Sequence, residues 1–154
     1  MERAFAARLL GSRVQGPARA VAAVIRVGTG ALFVGFSAGK FVDHAKEAAD
    51  FSHYGIPIPN VSTYVVGTLE LVSGVLLVAG LLTRPAALGL AVDMIGAIAT
   101  AGRVDGGSFH LGVAPTLLVA MLFLLWAGPG SWSVDAQLLR RSALSASPTR
   151  QIRA

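Results

Sequence analysis

Apolar residues recur in four long runs, at 20–38, 61–82, 85–101 and 111–127, each broken by at most one charged side chain. A membrane-crossing helix needs about 20 mostly apolar residues, with about 17–25 tolerated. The pattern therefore predicts an all-α protein, a four-transmembrane-helix bundle, with the third and fourth spans near the short limit. Proline and glycine mark the boundaries. Pro57 and Pro59 fit poorly inside a helix and announce the second span, whose first turn Ser62 or Thr63 can cap. Thr83-Arg84-Pro85 joins the second span to the third; Thr83 is a candidate N-cap and Pro85 suits a first helical turn. So short a turn makes these two helices antiparallel neighbours. Gly128-Pro129-Gly130 ends the fourth span.

The connections carry their own patterns. Between the first two spans, Phe41, Ala45, Ala48 and Ala49 recur at helical spacing among Asp43, Lys46, Glu47 and Asp50. This predicts a short amphipathic helix on the outer membrane face. Residues 102–110 form a polar loop containing Gly106-Gly107. Residues 1–19 place Arg3, Arg8, Arg13 and Arg19 among Phe5, Leu9, Leu10 and Val14, which reads either as a basic surface helix or as a basic tail. The organisation expected is a basic segment at 1–19, a four-helix domain at 20–130 and a basic tail at 131–154.

Composition strengthens the membrane reading. Of 154 residues, 54% are hydrophobic and 14% charged, against about 25% charged in soluble domains; the mean hydropathy is +0.66. The net charge of +5 gathers near the termini without interleaved aromatics, which is a topology signal and not a nucleic-acid surface. With both termini inside, Arg3, Arg8, Arg13, Arg19, Arg84, Arg140, Arg141, Arg150 and Arg153 face the cytoplasm, and only Lys40, Lys46 and Arg103 lie outside. Nine against three favours that orientation under the positive-inside rule. The absence of cysteine removes thiol, zinc-thiolate and iron–sulfur chemistry.

Three charges lie inside the apolar runs: Arg26, Glu70 and Asp93. At the bilayer centre each costs at least about 2.5–3.5 kcal/mol, so such groups face a protein interior or a wet cavity. Small residues stand three or four positions away from each: Ala22 and Gly30, Gly67 and Gly74, Gly89 and Gly96. Helices approach closely on small-residue faces, so all three charges are expected to turn inward. A rise of about 1.5 Å per residue sets them at similar depth. The expectation is one cluster in which Arg26 neutralises one or both carboxylates. It reads either as a ligand, quinone or proton site or as a device that fixes helix register. The same small-residue faces could also support a homo-oligomer.

His110, at the outer start of the fourth span, is an interfacial cap or a proton or quinone-headgroup contact. His44 and His53, with Asp43, Glu47 and Asp50, are metal-ligand types, but their spacing matches no strong motif and no metal site is assigned. Tyr54, Tyr64, Trp126 and Trp132 fall near predicted interfaces, where aromatic belts form.

Residues 20–137 resemble the DoxX family of small four-helix bacterial membrane proteins. The carriers are Arg26-Val27-Gly28, Gly35-Phe36-Ser37-Ala38-Gly39-Lys40, Gly55-Ile56-Pro57-Ile58-Pro59, then Glu70, Gly74, Gly80, Thr83 and Arg84. The stretch Gly128-Pro129-Gly130-Ser131-Trp132-Ser133-Val134-Asp135-Ala136 resembles the family's ending. The resemblance implies a multi-pass protein of the bacterial inner membrane associated with redox or sulfur metabolism, with Arg26 and Glu70 at family-typical positions. The expected function is a membrane component of a redox complex, quinone-linked or related to sulfur or oxidative stress, with the lipid bilayer and a protein partner or larger membrane complex around it; if it takes part in catalysis, it does so as an accessory subunit of a quinone-linked oxidoreductase. The alternatives are a non-catalytic scaffold or anchor and a small-solute transporter.

Overall fold

The computed structural model describes residues 9–145, with side chains through residue 141, and all regular structure in that stretch is helical. Helices α1 (Pro17–Val42), α2 (His44–His53), α3 (Pro59–Ala79), α4 (Thr83–Ala99) and α5 (Ala101–Val104) precede a π-helical turn (Phe109–Val113). The turn runs into α6 (Ala114–Ala127), and α7 (Val134–Ser145) follows. Four stretches are long and apolar enough to cross a membrane: Pro17–Val42, Pro59–Ala79, Thr83–Val104 and Phe109–Ala127. The amphipathic helix expected after the first span is α2. Residues 1–8 and 146–154 lie outside the described residues, so the expected surface helix or tail is visible only from residue 9, where the chain reaches α1 without a continuous helix.

The boundaries differ from expectation in instructive ways. No breaker intervenes until Asp43 (φ −121°, ψ 54°), so α1 continues past residue 38 and takes in Lys40. Its 26 residues extend about 39 Å, more than a hydrocarbon core of about 30 Å. Pro59 opens α3 instead of preceding it, because its missing N–H would lack a partner there anyway. Ser62 therefore sits within the first turn and donates to the Pro57 carbonyl at 2.6 Å, while Thr63 is buried; neither is the N-cap. Thr83 is not a cap either. The Asp135 carboxylate of α7 accepts from the Leu82 N–H at 2.9 Å and the Thr83 N–H at 3.1 Å. Two carboxylate oxygens satisfy two orphan donors and meet the positive end of α4, which one hydroxyl cannot do.

Antiparallel pairs α1/α3 and α4/α6 pack most extensively, and α3/α4 and α1/α6 close the ring. Gly30 and Gly74 bring α1 and α3 together: a Cβ on Gly30 would stand 2.8 Å from the Gly74 carbonyl oxygen. Phe33, Leu77, Leu90, Met94, Leu117, Met121 and Leu124 fill the interior. Outward, Val24, Val65, Val92 and Val119, one on each spanning helix, are 61–68% exposed. Such an apolar exterior belongs in lipid. One end of the bundle carries Arg13, Arg19, Arg84, Arg140 and Arg141 and is the basic end below.

Candidate functional site

Glu70 lies mid-way along α3 on the face that carries Gly67 and Gly74. Its ionic partner comes from α1. Lys40 Nζ stands 2.8 Å from Glu70 Oε2, with side chains only 12% and 5% exposed. Gly67 makes the approach possible, since a Cβ there would meet Lys40 Cβ at 3.0 Å. The lysine stem crosses the glycine and descends about one turn to the carboxylate, as long cationic side chains do along apolar surfaces. Asp93 on α4 faces the same pair and interacts with both Glu70 and Lys40. Its Oδ2 is buried with no hydrogen-bond partner among the described residues. Two carboxyl groups facing one ammonium leave the cluster one positive charge short of neutrality. A proton shared between the two carboxyl groups removes that deficit.

These groups form the floor of a cavity of about 660 Å³ that opens at the end opposite the basic one. Phe36, Val66, Leu69, Val92 and Met94 contribute apolar walls, and Glu47, Asp50, Tyr54 and His110 stand toward the mouth. His110 occupies the π-helical turn; such turns displace the local register and occur frequently at functional sites. Its ring packs edge-on against Tyr54 at 5.9 Å, and Phe109 packs edge-on against Phe36 at 5.2 Å. Beside the mouth, His53 Nε2 lies 3.0 Å from Asp105 Oδ1. Desolvation, then the Asp105 carboxylate, with Asp50 and Glu47 adding to it, push the Tyr54 hydroxyl up to about 12. Hydrogen bonding from Tyr54, then His53, holds Asp105 below its usual range.

Arg26 does not join Glu70 and Asp93. The Gly30–Gly74 contact sets the register, with Arg26 one turn toward the basic end and Glu70 one turn the other way. That separates their levels by about 12 Å. The Arg26 guanidinium, 1% exposed, donates to the carbonyls of Leu77 (2.7 Å) and Val78 (3.2 Å) in the last turn of α3. It also donates to Ser131 (3.4 Å) and Trp132 (3.2 Å) beyond α6. Asp135 is the carboxylate within its electrostatic reach. Carbonyls at a helix C-terminus lack intrahelical donors and carry the negative end of the macrodipole, and these claim the cation. Arg84 plays the matching part at α6, donating to Leu125, to Trp126 and to Gly11. The structure thus brings Glu70, Asp93 and His110 to one cavity, adds Lys40, and assigns Arg26 to a junction at the other end.

His44 and His53 have separate engagements: His44 stacks on Tyr64 at 3.9 Å, whereas His53 pairs with Asp105. Among the described residues no three His, Asp or Glu side chains group as a metal site. Lys40 and Asp135 were missed from sequence. The helical spacing from Gly30 through the buried Phe33 and Ser37 to Lys40 was the available signal for the first; Asp135 has no local signal because its partners lie 52–53 residues away.

The DoxX family description matches residues 21–103. An uncharacterized membrane protein of Mycobacterium tuberculosis (strain ATCC 25618 / H37Rv) is 37% identical over 105 residues, covering 60% of this chain and 64% of that protein. No solved structure matches.

Proposed function

Because the chain belongs to the DoxX family, we propose that it is a membrane subunit of a quinone-linked redox complex in the bacterial inner membrane, its Lys40–Glu70–Asp93 cavity receiving the quinone headgroup. The observation that carries this reading is the cavity itself, apolar in its walls and charged at its floor. Its volume of about 660 Å³ falls within the range of about 300–1,000 Å³ usual for small-molecule sites. Quinone carbonyls accept hydrogen bonds, and the donors that converge here are the Lys40 ammonium, a protonated carboxyl of the Glu70–Asp93 pair and the His110 ring. The partnerless Asp93 Oδ2 fits a site that makes one more polar contact when occupied.

A bound quinone supplies a two-electron, two-proton couple. The chain's own residues hold and move protons around it. Lys40 holds a carbonyl oxygen, the carboxyl pair holds a proton beside it, and His110 and Tyr54 lead from the floor toward water. The excess of arginine at the basic end supports an orientation with both termini in the cytoplasm and the cavity open to the outer side. Electrons come from or go to a partner subunit.

The test is quinone binding by the purified protein in lipid nanodiscs, titrated with a short-chain ubiquinone and with menadione. Loss of one charge-assisted hydrogen bond removes about 1.5–3 kcal/mol, so Lys40→Met and Asp93→Asn are each expected to weaken binding at least about tenfold. Leu122→Ala, on the lipid face, is expected to bind as the parent does. Equal affinity in all four proteins, each shown to be folded by circular dichroism, overturns the proposal.

A further inference from the structure

At the basic end, residues 10–19 and the first turns of α7 enclose a second cleft of about 560 Å³. Arg19 and Arg140 line it, together with the Ser12 hydroxyl and the Gln15 amide. Arg19 is half-buried, and its Nε is buried without a hydrogen-bond partner among the described residues. Neither arginine forms an ion pair among the described residues. The carboxylate of that region, Asp135, is committed to the N–H groups of Leu82 and Thr83. Arg26 and Arg84 are likewise committed, to carbonyls. Arg19 and Arg140 thus face one cleft with no carboxylate among the residues that line it.

Two further features define what would neutralise them. The cleft meets the N-terminus of α1, a 26-residue helix with no acidic residue in its first turn and no side-chain cap at Gly16. Its positive dipole end adds to the two guanidinium groups. Leu10, Val14 and Leu139 line the same space and give it apolar walls. Trp132, 82% exposed, marks this level as a membrane–water interface. An anion with an apolar extension fits this surface better than a bare ion does.

We propose that this cleft binds the phosphate of an anionic phospholipid, held between Arg19 and Arg140, with the start of its acyl chain against Leu10, Val14 and Leu139. Guanidinium groups suit phosphate oxygens through paired N–H donors, and basic pockets at the ends of membrane helices recognise anionic headgroups. The site is independent of the quinone cavity at the other end.

The experiment uses the full chain in phosphatidylcholine nanodiscs doped with phosphatidylglycerol or cardiolipin. Native mass spectrometry reads the anionic lipid retained per chain. The parent is expected to retain one anionic lipid in preference to phosphatidylcholine. Arg140→Gln is exposed and expected to fold normally; it should lose about fivefold in affinity, and Arg19→Gln a further factor of about five. Arg103→Gln, at the opposite end, controls for net charge and is expected to leave retention unchanged, and Arg140→Lys should recover part of the loss. Retention equal in the parent and Arg140→Gln, or an equal loss in Arg103→Gln, overturns the site. A parallel arm titrates inorganic phosphate: protection against thermal unfolding by phosphate, with no anionic lipid retained, overturns the lipid assignment in favour of a soluble phosphate.

Discussion

Replacing Arg26 with methionine separates holding the bundle together from binding a ligand. The parent guanidinium makes four hydrogen bonds of 2.7–3.4 Å to carbonyls from α3 and from the segment after α6. Each charge-assisted hydrogen bond contributes about 1.5–3 kcal/mol net. A simple sum over-counts, because the four share one guanidinium, two of them reaching α3 and two the segment after α6. Disrupting a buried charged network costs about 3–5 kcal/mol. Methionine keeps much of the apolar stem, and the nearby aqueous face can hydrate the freed loop carbonyls, so Arg26→Met is expected to lose about 3 kcal/mol, at the low end of that range. Reversible unfolding in bicelles by sodium dodecyl sulfate, followed by far-ultraviolet circular dichroism, measures it. Quinone affinity, taken on the folded fraction, is expected to stay within about twofold of the parent, because Arg26 stands about 12 Å from the level of Glu70. A loss below about 1 kcal/mol, within the ordinary run of substitutions, together with a large drop in quinone binding, would refute this reasoning and return Arg26 to the ligand site.

Two other outcomes follow from the geometry. Tyr54 is expected to ionise near pH 12, followed by tyrosinate absorbance near 295 nm and separated from Tyr64 by a Tyr64→Phe background. Its raised value favours the protonated phenol in the folded state, so this contribution to stability is full below the usual tyrosine range near pH 10 and fades as pH climbs toward 12; Asp105→Asn should bring the midpoint down. Asp135→Ala strips the acceptor from two N–H groups at the start of α4 and is expected to lower stability by about 2 kcal/mol, the upper end for a helix cap, whereas an unchanged unfolding midpoint would show that water replaces the carboxylate.

The number and kind of membrane-crossing helices were legible because they depend on summed composition, which a run of twenty residues expresses strongly; α7, within the expected basic tail at 131–154, was not. The inward faces were legible too: the small residues flanking Arg26 and Glu70 do mark the α1–α3 contact, and Gly30 meets Gly74 there. The partner of each charge was not. Spacing tells which face a side chain occupies, but vertical register between helices depends on where each one starts, and α1 ran four residues beyond its expected end at 38. That extension carried Lys40 into reach of Glu70. Arg26 meanwhile met a competitor invisible to a count of charges. Main-chain carbonyls at a helix C-terminus attract cations as carboxylates do, yet every helix has them and no residue type announces them.

Two of the three cations of α1, Arg26 and Lys40, thus divide the labour along one helix. They are 14 residues apart, about 21 Å of rise, and each is neutralised by a different class of acceptor. Arg26 meets main-chain oxygens, which cannot take up a proton, so its junction keeps the same charge whatever happens elsewhere. Lys40 meets carboxyls, which can, so the charge of its cluster can change with protonation. A rigid junction at one end leaves the other free to vary in charge without loosening the bundle. The quinone site proposed at Lys40 gains from that separation, because a single shared cluster would couple every protonation event to the stability of all four helices.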